Sequence, residues 1–437
     1  MNFEQLFKKA KEKNIEAIQA ELSEAESLNF HVFNGEMDKH QIADTKKLKL
    51  KAIVNGKMGK FVTEDIDESK MDNWIDALLD SAKAVESEDE VFIYEGDSEY
   101  KDIDLFNESK LNKLSHEDKI QLVHDLEQKT KALDERIQIS QSFYGESSSI
   151  VTLKNSKGLD LQKRVKNAVI GGDVVARNSD DSRNAFDFIQ SNDPADFDLD
   201  SLAHNIVSRA TALLGAKSLK SGRYDILLEN RASASLLTGY LGMFKAENVQ
   251  KGMSKLAGKV GQSVANEQIS MIENPFMEKS SKSGGFDDEG VATQYKKVID
   301  QGKLTTFFYD LKTAKKDNHA PTGNAFGGGI SPTNFYIENG KDDVEKLIET
   351  MDEGLFVTSL QGIHSGTNAV SGDFSLQASG FLIKNGKIER PIALFTVAGN
   401  YLDLLNSVST LGNDLKFSMN YIGSPTLKID SMVVSGE

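Results

Sequence analysis

The densest acidic cluster in residues 221–437 of this 437-residue chain consists of Asp287, Asp288 and Glu289, which lie between Phe286 and Gly290. Adjacent carboxylates can bind a hard cation such as Ca²⁺ or Mg²⁺, or act as acid and base, because their mutual repulsion raises one pKa. The same residues also suit a turn, in which aspartate oxygens accept backbone N–H groups and Gly290 supplies the conformation. The sequence leaves both interpretations open.

Histidines are the other candidates for acid–base or metal chemistry, and the chain has seven: His31, His40, His116, His124, His204, His319 and His364. None belongs to an HExxH motif, and His124 is eight residues from His116, off the face that an i, i+4 pair shares. We interpret these two as helix-surface residues. The absence of cysteine excludes disulfides, thiolate metal sites and cysteine nucleophiles.

A glycine-rich run covers residues 323–329 and includes Gly323, Asn324 and Gly328. It is neither a phosphate-binding loop nor a dinucleotide fingerprint, because it lacks the required spacing between a strand and a helix. Such a run more often forms a flexible loop or a close approach of two backbones. If it is functional, we expect it to line a cleft or to let a peptide dock.

A second polar, glycine-spaced stretch covers residues 362–375. Its candidate contact residues are His364, Ser365, Gly366, Asn368, Asp373 and Phe374. His364 and Ser365 cannot act together as base and nucleophile on an extended chain, because adjacent side chains point to opposite faces. This stretch is better interpreted as a loop that shapes a cleft or contacts a partner chain.

The elements that must position these residues predict an α+β fold. We expect N-terminal α+β units with antiparallel sheets, followed by a strand-rich C-terminal domain of curved antiparallel sheet. Hairpin turns are predicted at Asn34-Gly35 and Asn55-Gly56, and helix N-caps at Ser69 and Ser115. The predicted units are 1–86, 87–220 and 221–437, with an acidic connector at 86–90.

The charge of the chain argues against nucleic acid as a partner. Its 51 Lys and Arg against 67 Asp and Glu give a net charge of −16, which repels phosphate backbones. The most basic run, 46–51, alternates lysine with Leu48 and Leu50, as a strand with one solvated face would. No apolar stretch approaches the length that spans a bilayer, and the first residues form an amphipathic helix, so we expect a cytoplasmic protein.

Several motifs follow one another in an order that resembles the TldD/PmbA family, specifically its PmbA (TldE) branch. They lie at 286–290, 321–324, 364–368, 371–375, 383–388, 398–400, 412–414 and 423–425. The resemblance covers essentially the whole chain and is strongest over 284–437. The strand at 59–63, before the helix of Trp74, is also similar to the family.

The resemblance implies a cytosolic two-subunit peptidase that matures or degrades small, unfolded peptides, in a family often labelled a modulator of DNA gyrase. In it, a TldD-type subunit carries an HExxxH helix and a metal, and the PmbA-type subunit is its metal-free partner. Aligned with that helix, the HExxxH positions fall on Leu237, Thr238 and Gly242. Leucine and glycine side chains offer zinc no lone pair, and threonine cannot replace a glutamate base. We therefore expect no catalytic residue, metal or cofactor in this chain, and zinc only in a TldD-like partner.

Three hypotheses follow, in order of preference. In the first, the chain is the non-catalytic subunit of such a peptidase and helps to build a peptide cleft by β-augmentation. It would pair with a TldD-like subunit, or form a homodimer when alone. In the second, it is a homo-oligomeric binding or scaffold protein without a peptidase role. In the third, it is an independent hydrolase that uses Asp287, Asp288 and Glu289.

Overall fold

The computed structural model describes residues 1–86, 89–107 and 109–437. Of the predicted acidic connector at 86–90, residues 87 and 88 lie outside the described residues. The helices, in chain order, are α1 Phe3–Glu12, α2 Met71–Lys83, α3 His116–Leu133, α4 Leu199–Ala212, α5 Asn230–Tyr240, α6 Ala246–Gln250, α7 Leu311–Lys316, α8 Val344–Glu349, α9 Ile363–Gly366 and α10 Tyr401–Asn406.

Long antiparallel hairpins dominate the N-terminal part of the chain. Its strands are β1 Ala17–Phe33, β2 Glu36–Val54, β3 Lys57–Thr63, β4 Asp104–Leu105, β5 Ile137–Asn155, β6 Asp160–Arg177 and β7 Ser182–Ser191. The turns predicted at Asn34-Gly35 and Asn55-Gly56 join β1 to β2 and β2 to β3, and all four residues have positive φ. Both turn predictions are confirmed. On β2, Leu48 and Leu50 are buried between lysines that face outward, as their alternation predicted.

Within the described residues, these strands form one seven-stranded sheet of order β3-β2-β1-β5-β6-β4, with β7 paired to β6. Because β1 pairs with β5 along most of its length, the sheet runs across the predicted boundary near residue 86. Two separate cores cover it. One contains Leu6, Trp74 and Leu78 from α1 and α2, and the other contains Tyr144 and Ile206. The division into 1–86 and 87–220 stays a prediction.

The two predicted helix caps have different outcomes. Ser115 accepts a hydrogen bond from the Asp118 N–H in a complete capping box at the start of α3, as predicted. The cap at Ser69 is wrong. The Asp67 side chain accepts from the Ser69 N–H in a short 3-10 turn, and α2 begins two residues later without a side-chain cap. The Ser69 hydroxyl also donates to Asp67 Oδ1 at 2.7 Å, so this side chain binds a charged acceptor and does not cap α2.

The C-terminal part is rich in strands, as the sequence predicts. They are β8 Gly222–Leu228, β9 Met271–Glu273, β10 Lys296–Asp300, β11 Lys303–Leu304, β12 Ala325–Phe326, β13 Gly329–Ile330, β14 Phe335–Ile337, β15 Glu353–Gln361, β16 Asp373–Lys384, β17 Lys387–Asn400, β18 Val408–Leu411, β19 Lys416–Phe417, β20 Ile422–Ser424 and β21 Leu427–Ser435. The α+β fold class is confirmed.

The larger C-terminal sheet curves until it closes on itself. Its order is β17-β16-β15-β8-β21-β18, and β17 also pairs with β21. A second sheet has the order β11-β10-β9-β14-β20-β19, and β12 and β13 form a separate hairpin. Most pairs are antiparallel, but β8 with β15 and β14 with β20 are parallel. The helices and loops between these partners supply the long crossover that a parallel pair requires.

The core between these sheets is formed around α5. Leu237, Tyr240 and Phe244 are fully buried there, together with Phe308 and Phe335. The rings of Tyr240 and Tyr401 are stacked with centroids 4.2 Å apart. No helix in the described ranges combines the length and hydropathy that a bilayer-spanning segment needs.

Candidate functional site

The acidic cluster begins with an aspartate that organises a turn. Asp287 is fully buried, and its Oδ1 accepts hydrogen bonds from the backbone N–H groups of Glu289 at 2.9 Å and Val291 at 3.0 Å. Its Oδ2 accepts from the Ala325 N–H at 2.9 Å. Gly290 has φ +88°, the left-handed conformation that the turn interpretation requires of it. Both oxygens of Asp287 therefore already have backbone partners.

Burial changes the acidity of this cluster. It raises the pKa of Asp287 to about 7, assisted by the neighbouring Glu289 charge and opposed by the backbone N–H donors. Burial also raises the pKa of Glu289, whose Oε2 accepts from the Leu311 N–H at 2.8 Å. Lys51 lies close enough to oppose that shift.

Asp288, Glu289 and Gly328 line a cavity of about 630 Å³. Its opposite wall is formed by β1, β2 and β3, which contribute several lysines, among them Lys49 and Lys51. Asp288 accepts a hydrogen bond from the Gly327 N–H at 2.8 Å, which holds the β12–β13 hairpin over the cavity. Over the described part of the chain, no group of three or more His, Cys, Asp or Glu residues is arranged to hold a metal ion.

The other two residues of the glycine-rich run are structural. Gly323 has φ +68°, and a Cβ there would lie 2.5 Å from the Ala292 carbonyl oxygen, so two backbones meet at this point. Asn324 is fully buried and donates to Glu273 Oε1 at 2.8 Å, and its Oδ1 accepts from Lys296 Nζ at 3.1 Å. This network joins β9 and β10 to the loop before β12.

The 362–375 stretch folds into α9 and the loop that leads into β16. His364, Ser365, Asn368 and Asp373 are exposed, whereas Phe374 is buried. The Asn368 side chain accepts from the Ser371 N–H at 3.1 Å, which fixes the loop. None of these residues lines the cavity beside Asp288. The structure therefore places the predicted contact residues at two locations.

Helix α5 lies directly beneath α9. A Cβ at Gly239 would lie 3.1 Å from Ile363 and 3.2 Å from Thr367, so the missing side chain lets the two helices approach closely. The three positions aligned with HExxxH lie in α5 and in the 3-10 turn Leu241–Phe244 that follows it.

These three positions do not fit a metal ion. Leu237 is fully buried in the apolar core. Thr238 Oγ1 donates to the Ala234 carbonyl at 2.9 Å, and Gly242 has no side chain. An alkyl group, a hydroxyl bonded to its own helix and a hydrogen atom do not make the nitrogen and carboxylate donor set that zinc requires.

A second cavity, of about 830 Å³, was not predicted from the sequence. It lies beside a charged cluster formed by Asp187, Arg209, Glu229, Arg231 and Lys416. Arg209 binds Glu229 through two hydrogen bonds of 2.6 and 2.8 Å, and Arg231 pairs with Asp187. These residues come from four separate segments, so no local spacing in the sequence could have identified the cluster.

Sequence profiles of a known family cover most of the chain. The profile described as the PmbA/TldA metallopeptidase C-terminal domain matches residues 221–436. The profile described as the central domain of the same metallopeptidases matches residues 109–214.

Individual relatives agree with these profiles. The chain is 25% identical over 410 residues to a metalloprotease PmbA homologue from Haemophilus influenzae, covering 92% of this chain and 88% of that protein. A crystal structure from Thermotoga maritima, described as a modulator of DNA gyrase, superposes with a TM-score of 0.93 at 30% identity, covering 99% of each chain. TldE from Thermococcus kodakarensis shares the fold, with a TM-score of 0.91, 23% identity and coverage of 99% and 100%.

Proposed function

This chain belongs to the PmbA/TldD family of metallopeptidases, in its PmbA/TldE branch, and we propose that it is the non-catalytic subunit of a TldD/TldE-type peptidase. The peptidase would act on small or unfolded peptides, with zinc held only by the TldD-like partner. The observation that carries the proposal is the residue set Leu237, Thr238 and Gly242 on α5, which offers no ligand and no general base.

The surroundings of α5 support a packing role for this helix. Leu237 and Tyr240 are fully buried, and the Tyr240 hydroxyl donates to the Asp373 carbonyl at 2.9 Å. The helix thus holds in place the exposed loop that carries His364, Ser365 and Asn368. We assign this loop to contact with the partner subunit, because its polar side chains face solvent while its backbone is fixed from beneath.

The Thermotoga maritima relative is described as a modulator of DNA gyrase, but we do not propose that this chain binds DNA. A net charge of −16 opposes association with a polyanion, since no counterions would be released from the DNA. Three lysines of β2, Lys46, Lys47 and Lys49, form ion pairs with glutamates, as in the Lys49–Glu21 pair at 2.8 Å.

The proposal is tested by producing this chain with a tagged TldD-like protein from the same source. We expect the two to purify together, and we expect hydrolysis of an unstructured peptide only by the mixture. The TldD-like protein with its HExxxH glutamate replaced by glutamine is the control, and its mixture should be inactive. Full peptidase activity of this chain alone, after treatment with a chelator, would contradict the proposal.

A further inference from the structure

The second cavity lies between two free strand edges. On one side is β7, which pairs only with β6 among the described strands. Two backbone groups on its outer edge have side-chain partners: the Phe186 carbonyl accepts from Arg231 Nη1 at 3.3 Å, and the Phe188 N–H donates to Asp187 Oδ1 at 2.7 Å. An unpaired edge offers a row of N–H and C=O groups to another extended chain.

On the other side is the end of β15. This strand pairs with β16 through Gln361, but with β8 only over Gly354–Val357. Beyond that point the Thr358 carbonyl accepts from Arg209 Nη2 at 3.3 Å. In the described chain, residues 359–361 have no backbone partner on the side that β8 has left. After the end of β8 the chain turns into α5. The space that β8 leaves open beside residues 359–361 is the cavity.

The cavity carries an excess of positive charge. The cluster at its side contains three cations, Arg209, Arg231 and Lys416, against the two carboxylates of Asp187 and Glu229. Lys416 Nζ lies 3.5 Å from both oxygens of Asp187, a carboxylate that Arg231 already binds. Burial and repulsion from Arg231 lower the pKa of Lys416. One additional carboxylate would balance this cluster.

The remaining walls combine phenylalanines with polar side chains, among them Thr358, Gln361 and Asn420. Phe186, Phe356, Phe381 and Phe417 all line the cavity, and Phe186 is 38% exposed.

We propose that this groove, bounded by β7 and by residues 358–361, binds an extended peptide that carries a carboxylate. The peptide backbone pairs with the free edge of β15, and Lys416 binds the carboxylate, which is either the C-terminus or an acidic side chain. The site rests on the peptide-handling function proposed above, and it gives that function a location on this subunit that is separate from the cavity beside Asp288.

The test is the binding of labelled eight-residue peptides to this chain alone, measured by fluorescence anisotropy. A peptide of serine, threonine and valine with a free C-terminus is compared with its C-terminal amide, and with an amide that contains one internal glutamate. We expect the neutral amide to bind about tenfold more weakly than the peptide with the free C-terminus, since a hydrogen bond to a charged group is lost. Binding of the glutamate peptide shows whether a side-chain carboxylate can take the place of the C-terminal one.

Two further comparisons separate the charge from the strand edge. Lys416→Met should weaken the carboxylate peptides about tenfold and leave the neutral amide unchanged. It should fold, because methionine keeps the apolar stem and Lys416 has only a distant acceptor. Lys428→Met, on β21 outside the groove, is the matched control. A peptide with alternate N-methylated residues should also bind about tenfold more weakly, because it lacks backbone donors.

The proposal is wrong if the parent chain binds no peptide, or if neither Lys416→Met nor the C-terminal amide changes the affinity. It is also wrong if the N-methylated peptide binds as well as the unmodified one. None of these results would alter co-purification with a TldD-like subunit, so they leave the proposed function standing on its own test.

Discussion

At the scale of single residues, the acidic cluster is first of all a structural element. Asp287 has both oxygens bound by backbone N–H groups, and its fully buried side chain lines neither of the two cavities described above. This arrangement favours the turn interpretation of the sequence over a catalytic pair. An independent hydrolase would have to depend on Asp288 and Glu289, which line the cavity beside them.

The buried Asp287 predicts a pH dependence of stability. Its pKa rises to about 7 in the folded chain, from an ordinary value of 3.8. Between these values the folded chain binds a proton that the unfolded chain has released, so this group lowers the free energy of unfolding as pH rises from about 4 to about 7. Above that range its effect is constant.

As pH rises over this range, the unfolding temperature of Asp287→Asn should therefore fall less than that of the parent chain. The variant should also be less stable at low pH, by about 1 to 3 kcal/mol, because an amide nitrogen cannot accept from the Ala325 N–H. Thermal unfolding followed by circular dichroism at several pH values measures both effects. An unchanged slope with pH would show that Asp287 is ionised throughout.

Two glycines of the glycine-rich run form a matched pair for a test of backbone contact. Gly323 and Gly328 have φ of +68° and +80°, but only at Gly323 would a Cβ meet another backbone, at 2.5 Å from the Ala292 oxygen. Gly328→Ala should lower the free energy of unfolding by about 1 to 2 kcal/mol, because alanine is strained in the left-handed conformation. Gly323→Ala should cost about 2 to 4 kcal/mol, because the contact adds to that strain. Equal shifts of the urea midpoint would contradict this account.

At the scale of elements, α5 is a helix of the core. Its face with Leu236, Leu237 and Tyr240 is buried against the curved C-terminal sheet, and α9 covers its opposite end through Gly239. The three positions aligned with HExxxH therefore belong to a packed helix, and we expect that metal-ligating side chains placed there do not create a site.

This predicts the outcome of placing the HExxxH residues on α5. The triple variant Leu237→His, Thr238→Glu and Gly242→His should have no peptidase activity and should bind no stoichiometric zinc. It should also lose about 2 to 5 kcal/mol of stability, because Leu237 is fully buried and an imidazole there lacks a polar partner. Zinc binding by isothermal titration and denaturant unfolding measure the two effects. Thr238→Glu alone is the control, since Thr238 is only partly buried.

The sequence predicted those elements that depend on neighbouring residues. The turns at Asn34 and Asn55 and the capping box at Ser115 need only residues within four positions of one another. The start of α2 was misplaced because the Ser69 hydroxyl donates to the carboxylate of Asp67 and does not accept from the helix. The groove beside Lys416 could not be predicted, since the five charged residues at its side meet only through long-range pairing.

At the scale of the whole molecule, long strands connect the predicted N-terminal units, and the C-terminal sheet closes around its own core. The described residues form several cavities, of which one lies under the β12–β13 hairpin and one between β7 and β15. The first has no residue of α5 in its lining, whereas the second is lined partly by Ala232, Ala234 and Ser235 of that helix. In the proposed function, the second cavity binds a peptide and the loop after α9 contacts a partner, while α5 packs in the core.

The metal content of the purified chain tests the central claim most directly. Zinc is measured by plasma mass spectrometry in this chain alone, in the TldD-like partner alone, and in their complex, after dialysis against metal-free buffer. We predict zinc in the partner and in the complex, and only traces in this chain. One tightly bound zinc ion per molecule of this chain alone would contradict the claim that it is the metal-free subunit.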